Sequence, residues 1–98
     1  MRYRFDGFAF DPDNLQLSGP GGEIPLRPMT VRLLQALIES APQLLRHDEL
    51  LDQVWGHGYS GMEHTVNSHI NRLRAKIETD PSSPRRIVTV WGVGYRLD

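Results

Sequence analysis

The sequence predicts an α+β fold: an N-terminal antiparallel sheet of about four strands, a three-helix core and a C-terminal β-hairpin. Three observations carry that prediction. Apolar and polar residues alternate up to Leu26, apolar residues recur at helical spacing in three later segments, and the stretch from Ile87 to Leu97 is β-branched around a glycine reversal.

The sheet is expected over 2–26, where Tyr3, Phe5, Phe8, Phe10, Leu15, Leu17, Ile24 and Leu26 are interrupted by turn-forming Asp6-Gly7, Pro12-Asp13-Asn14 and Gly19-Pro20-Gly21-Gly22. Helix one follows over 28–40: Pro28 suits a first turn, Val31, Leu34, Leu37, Ile38 and Ala41 repeat with helical period, and Pro42 stops it. Helix two is expected over 47–55, with Asp48 and Glu49 favoured by the dipole of its first turn and Gly56 at its end. Arg46 stands where a Ser or Thr cap is usual, so this helix should start less firmly. Leu51 and Trp55 read as core. The glycine-rich stretch 56–61 is a connection, and a third helix runs over 63–79 on the stripe Val66, Ile70, Leu73 and Ile77. Asp80-Pro81-Ser82-Ser83-Pro84 ends it. The hairpin spans 87–97, Gly92-Val93-Gly94 giving the reversal and Tyr95-Arg96-Leu97 the return strand.

Composition limits the function. With 98 residues, 39% hydrophobic, residues 1–98 make one domain with one core. Cysteine is absent, no apolar run approaches the roughly 18 residues of a membrane span, and the N-terminus alternates aromatic with polar residues. The expectation is a soluble, cytoplasmic chain without disulfides, whose own segment makes no membrane contact. The net charge of −1 is unevenly spread: residues 1–63 hold five Arg against nine Asp or Glu, and residues 64–98 hold five Arg and one Lys against three acids. A local basic face on an acidic body is therefore possible.

Projected at about 100° per residue, the third helix turns its apolar stripe inward and leaves Thr65, Ser68, Arg72 and Ala75 outward. His64 and Asn71 flank this face on one side, His69 and Lys76 on the other. Small central side chains let a helix approach base edges, an Arg reaches guanine bidentately, and the flanking groups meet phosphates. Any amphipathic surface helix shows a polar outer face, so the context matters: a preceding helix, a glycine-bearing connection, and a hairpin approached by Arg85 and Arg86 together describe a helix-turn-helix with a wing.

The chain resembles the OmpR/PhoB-type winged helix-turn-helix effector domains of bacterial two-component response regulators. The resemblance rests on Leu26-Arg27-Pro28, Leu50-Leu51-Asp52-Gln53-Val54-Trp55-Gly56, His64-Thr65-Val66 with His69-Ile70-Asn71-Arg72-Leu73-Arg74, and Thr89-Val90-Trp91-Gly92-Val93-Gly94-Tyr95-Arg96. It implies sequence-specific binding of double-stranded DNA, the third helix in the major groove and the wing toward the minor groove. By position Thr65, Ser68 and Arg72 face bases, while His64, His69, Asn71, Arg74, Arg85 and Arg86 lie near phosphates. Thr89, Trp91, Gly92, Gly94, Tyr95 and Arg96 build the wing. The resemblance also implies that the 56–61 loop, with His57, Gly58, Tyr59 and Ser60, contacts RNA polymerase, and that two copies bind a direct-repeat operator head to tail. Trp91 stands where many relatives have Arg, and Asn71 and Ala75 where they have Arg or Lys. Trp91 fits either a packed wing residue or an exposed contact, packing being the preferred reading.

Three alternatives remain. No receiver domain is present in the sequence, so a membrane-anchored one-component regulator carrying this domain at its N-terminus is one. A winged helix serving as a protein-interaction module is another, motivated by the acidic first 63 residues; DNA binding requires Arg72, Arg74, Arg85, Arg86 and Arg96 to converge with the outer side of helix three. An enzyme is the third. His47, His57, His64 and His69 form no i, i+4 pair, and no HExxH or nucleophile-elbow pattern occurs. No catalytic residue, metal or cofactor is expected.

Overall fold

The computed structural model describes residues 2–56 and 63–98. Four strands, β1 (Tyr3–Phe5), β2 (Phe8–Asp11), β3 (Gln16–Gly19) and β4 (Gly22–Ile24), form an antiparallel meander in the order β1-β2-β3-β4. Asp6 and Gly7 both take positive φ, 43° and 84°, the two-residue turn whose twist matches its flanking strands. Pairing of Phe10 with Leu17 and of Leu17 with Ile24 puts the apolar alternation on one face, where Phe8, Phe10 and Leu17 are buried.

Helix α1 (Pro28–Ser40) buries Val31, Leu33, Leu34, Ala36 and Leu37. It ends because Ala41 precedes Pro42 and is pushed to ψ 143°, out of the helical region. Strand β5 (Leu45–Arg46) leads into α2 (His47–Leu50), which continues as a π-helical turn (Leu51–Trp55) closed by bonds from the Gly56 N–H to the carbonyls of Leu51 and Asp52, both 3.1 Å. The expected weak start of helix two is compensated by neighbours: Glu49 Oε1 accepts the Arg46 N–H at 2.9 Å, and the Val93 carbonyl accepts the His47 N–H at 3.2 Å.

Helix α3 (Glu63–Ile77) buries Val66, Ile70, Leu73 and Ile77, none more than 2% exposed. It stops two residues short of the expected Thr79, because Glu78 turns inward. The Glu78 carboxylate accepts the backbone N–H groups of Arg85, Arg86 and Ile87 at 2.8–3.0 Å, so the chain entering the hairpin is gathered onto one buried acid.

Strands β6 (Ile87–Val90) and β7 (Gly94–Leu97) form the hairpin, and β5 adds to it as a third strand in the order β5-β7-β6. β5 is not legible in the sequence, because its two residues are too few for a period. Gly94 belongs to β7 and not to the reversal; the positive φ of the turn, 76°, falls on Gly92. One cluster joins Phe8, Phe10 and Leu17 of the first sheet to the stripes of α1 and α3 and to Ile87, Tyr95 and Leu97 of the hairpin. α1 packs on both α3 and β7, which fixes the hairpin beside α3.

Candidate nucleic-acid interface

The outer face of α3 keeps the projected order. Ser68, Asn71, Arg72 and Ala75 are exposed and Thr65 and His69 half-buried. The His69 ring is held from two directions: its Nδ1 lies 2.8 Å from the Thr65 carbonyl, and its plane meets the Trp55 ring edge-on at 5.1 Å. A carbonyl only accepts, so Nδ1 is the donor and Nε2 is directed away from the helix backbone. The side chain of His64, and His57, Gly58, Tyr59 and Ser60, lie outside the described residues.

The five arginines expected to converge do not. Arg74 is only 9% exposed and faces the hairpin: its Nε and Nη2 donate to the Ile87 carbonyl at 3.2 and 2.9 Å, and Nη2 donates to Thr89 Oγ1 at 2.7 Å. Nη1 reaches Asn71 Oδ1 at 3.5 Å. Burial pushes this guanidinium below its ordinary pKa, while Tyr95 and Glu78 pull it back up. Arg86 is also internal. It pairs with Asp6 at 2.6 Å, donates to the Ile77 carbonyl at 2.8 Å and lies 5.1 Å over the Phe8 ring, tying the first sheet to the end of α3. Arg96 is turned onto Asp98 at 2.8 Å, a hydrogen bond that raises its pKa. Arg72 and Arg85 are exposed, with no carboxylate partner among the described residues.

In the hairpin, Thr89 and Tyr95 are structural as placed. Tyr95 is buried, donates its hydroxyl hydrogen to Asn67 Oδ1, and lies 5.2 Å from the His47 ring and 5.8 Å from the Arg74 guanidinium. It joins α2, α3 and the hairpin at one point, and Asn67 is a site neighbour that the sequence reading missed. Trp91 is 88% exposed, so packing is corrected to exposure: the turn Trp91-Gly92-Val93 projects beyond both strands.

A three-helix core that sets a polar helix face beside a β-hairpin defines a winged helix-turn-helix domain. Known proteins agree. The transcriptional regulatory protein YvrH of Bacillus subtilis is 42% identical over 97% of this chain and 40% of its own length. Response regulator DrrB of Thermotoga maritima, an OmpR/PhoB homologue, superposes with a TM-score of 0.87 at 31% identity over 98% of this chain and 43% of its own. The DNA-binding domain of Klebsiella pneumoniae RstA, solved in complex with the RstA box, gives 0.87 at 32% identity over 98% and 95%. The family described as "Transcriptional regulatory protein, C terminal" matches residues 21–97, and the chain belongs to it. It spans between 33% and 42% of the length of the curated relatives it matches.

Among the described residues no helix is long and apolar enough to cross a membrane, and no group of three or more His, Cys, Asp or Glu side chains is placed to hold a metal ion.

Proposed function

We propose that this domain is the non-catalytic, cytoplasmic output module of a transcription regulator, working without cofactor or metal and binding double-stranded DNA with α3 in the major groove. The observation that carries this reading is the exposure of Ser68 and Arg72 on a helix face held by a buried stripe, with the hairpin fixed alongside. The similar RstA domain, solved with the RstA box, supports it. Thr65, Ser68 and Arg72 are proposed to face bases, with His64, His69, Asn71 and Arg85 toward phosphates. Arg74 and Arg86 act from inside, as positioning residues. The proposed partners further include RNA polymerase through 56–61 and a second copy on a direct-repeat operator.

Arg72→Ala should cost about 1–3 kcal/mol on the preferred duplex and relax preference at one base position. The measurement is titration of a duplex selected from a random pool, with a random-sequence duplex alongside. Equal loss on both would remove Arg72 from the base-reading role.

The five arginines do not converge as DNA binding was expected to require, which favours protein binding as a second reading; membership of a transcriptional regulatory family outweighs it. Arg74, Arg86 and Arg96 spend their donors within the domain, which leaves the wing poor in free cations. An absence of duplex binding by the intact domain at low salt would select it.

A further inference from the structure

We propose that a cleft between the start of α1 and the outer flank of α3, lined by Arg27, Thr30, Arg72 and Lys76, binds the phosphates of the DNA strand bordering the major groove on the side away from the wing. This rests on the DNA reading and deepens it.

The cleft measures about 410 Å³, and Pro25, Leu26 and Ala75 complete its walls. Arg27, Arg72 and Lys76 are all exposed, and none has a carboxylate partner among the described residues. Two unneutralised cations at one recess, Arg27 and Lys76, with Arg72 at its rim left to the bases, on a chain whose net charge is −1, describe an anion site. The recess also holds the first turn of a 13-residue helix. Its first helical hydrogen bond runs from the Val31 N–H to the Arg27 carbonyl at 3.0 Å, and Pro28 has no N–H, so the amides of Met29 and Thr30 precede the ladder. Thr30 adds a polar wall to the recess: it is only 7% exposed and lines the cleft beside the three cations.

Helix geometry settles which strand is meant. Lys76 follows His69 by seven residues and so shares its side of α3, where His69 meets Trp55 of the π-helical turn. Arg74, two residues before Lys76, lies about 200° away and faces the hairpin through Thr89. Arg72 lies between the two sides, on the outer face. A strand leaving its base contacts on the side opposite the wing therefore passes from His69 to the cleft. Phosphate and guanidinium or ammonium are matched in charge, and the cleft supplies cations that the hairpin withholds.

The test is the salt dependence of binding to a random-sequence duplex and to a selected duplex. Each neutralised phosphate contributes about 0.9 to the slope of log K against log salt. The double variant Arg27→Gln, Lys76→Gln should lower the slope by roughly 2 on both duplexes and leave base preference unchanged. Arg27→Lys with Lys76→Arg should restore it. Thr30→Val should weaken binding roughly two- to tenfold on both without changing the slope. An unchanged slope in a double variant that melts like the parent, while the parent binds both duplexes, overturns the phosphate site and leaves the cleft to a protein ligand. A parent that binds neither duplex overturns the DNA reading itself.

Discussion

Gly94→Ala should unfold the domain at a temperature at least about 12 °C lower than the parent, a loss of about 3 kcal/mol or more. A Cβ built at Gly94 lies 1.9 Å from the Leu45 carbonyl oxygen and 2.8 Å from Arg46 Cα. Both neighbours are backbone, so no side-chain rotation relieves the clash. The variant must separate β7 from β5, and that pairing, Leu45 with Tyr95 and Arg46 with Gly94, is what brings the Val93 carbonyl to the His47 N–H. The start of α2 and the placement of the hairpin should loosen together, and duplex affinity should fall in parallel. The cost is in strand separation and not in the turn: Gly92, the residue of positive φ, has nothing within 4 Å of a built Cβ, so Gly92→Ala should cost only about 1 kcal/mol of backbone strain. Thermal melts of both variants measure this. A Gly94→Ala melt within about 2 °C of the parent would mean that the β5 contact is dispensable.

The architecture was legible wherever a period ran long enough to be read. The stripe Val66, Ile70, Leu73 and Ile77 gives the inward side of α3, and the alternation of Phe8, Phe10 and Leu17 gives the inner face of the first sheet; all of these are buried. What escaped are interactions between elements distant in sequence. Gly94 reads as a turn glycine because the two-residue strand that presses on it lies about 50 positions away and has no period. Trp91 reads as packed because large aromatic side chains usually are, yet among the described residues nothing covers its ring, which is 88% exposed. Glu78 reads as the last turn of a helix because nothing local shows that three amides from beyond Pro84 converge on its carboxylate.

The site was half legible for the same reason. Projection separates inward from outward, and Ser68 and Arg72 are exposed as projected. It does not say what stands beside the helix. Arg86 and Arg96 look like free wing cations in one dimension, whereas Asp6, about 80 residues upstream, and Asp98, two residues downstream, occupy them. Lys76 reads only as a flank of the third helix and Arg27 only as part of a motif, because the two lie on different elements and acquire a common role only across the cleft.

Arg74→Ala should cost about 3 kcal/mol of stability and weaken binding to selected and random duplexes alike, with the salt slope unchanged. A phosphate-facing Arg74 and an internal one both predict weaker, unselective binding, so affinity alone does not separate them. The slope does. An arginine on a phosphate contributes about 0.9 to it, and its removal flattens the slope by that amount. In the structure the guanidinium is only 9% exposed and donates to the Ile87 carbonyl and to Thr89, so its charge is already committed at the joint between α3 and β6. Truncation leaves that carbonyl without its charged donor in a buried place, and the hairpin loses its fixed angle to α3. Hydrogen bonds to charged groups contribute about 1.5–3 kcal/mol each, which sets the expected loss. Arg74→Lys separates the joint from the charge: it keeps a cation of similar reach but lacks the fork that bonds the carbonyl twice, so it should recover less than half of the lost stability. Denaturant melts of the two variants, with duplex titrations at three salt concentrations, decide the matter. A slope lowered by about 1 in Arg74→Ala, with stability near that of the parent, would return Arg74 to the phosphate frame.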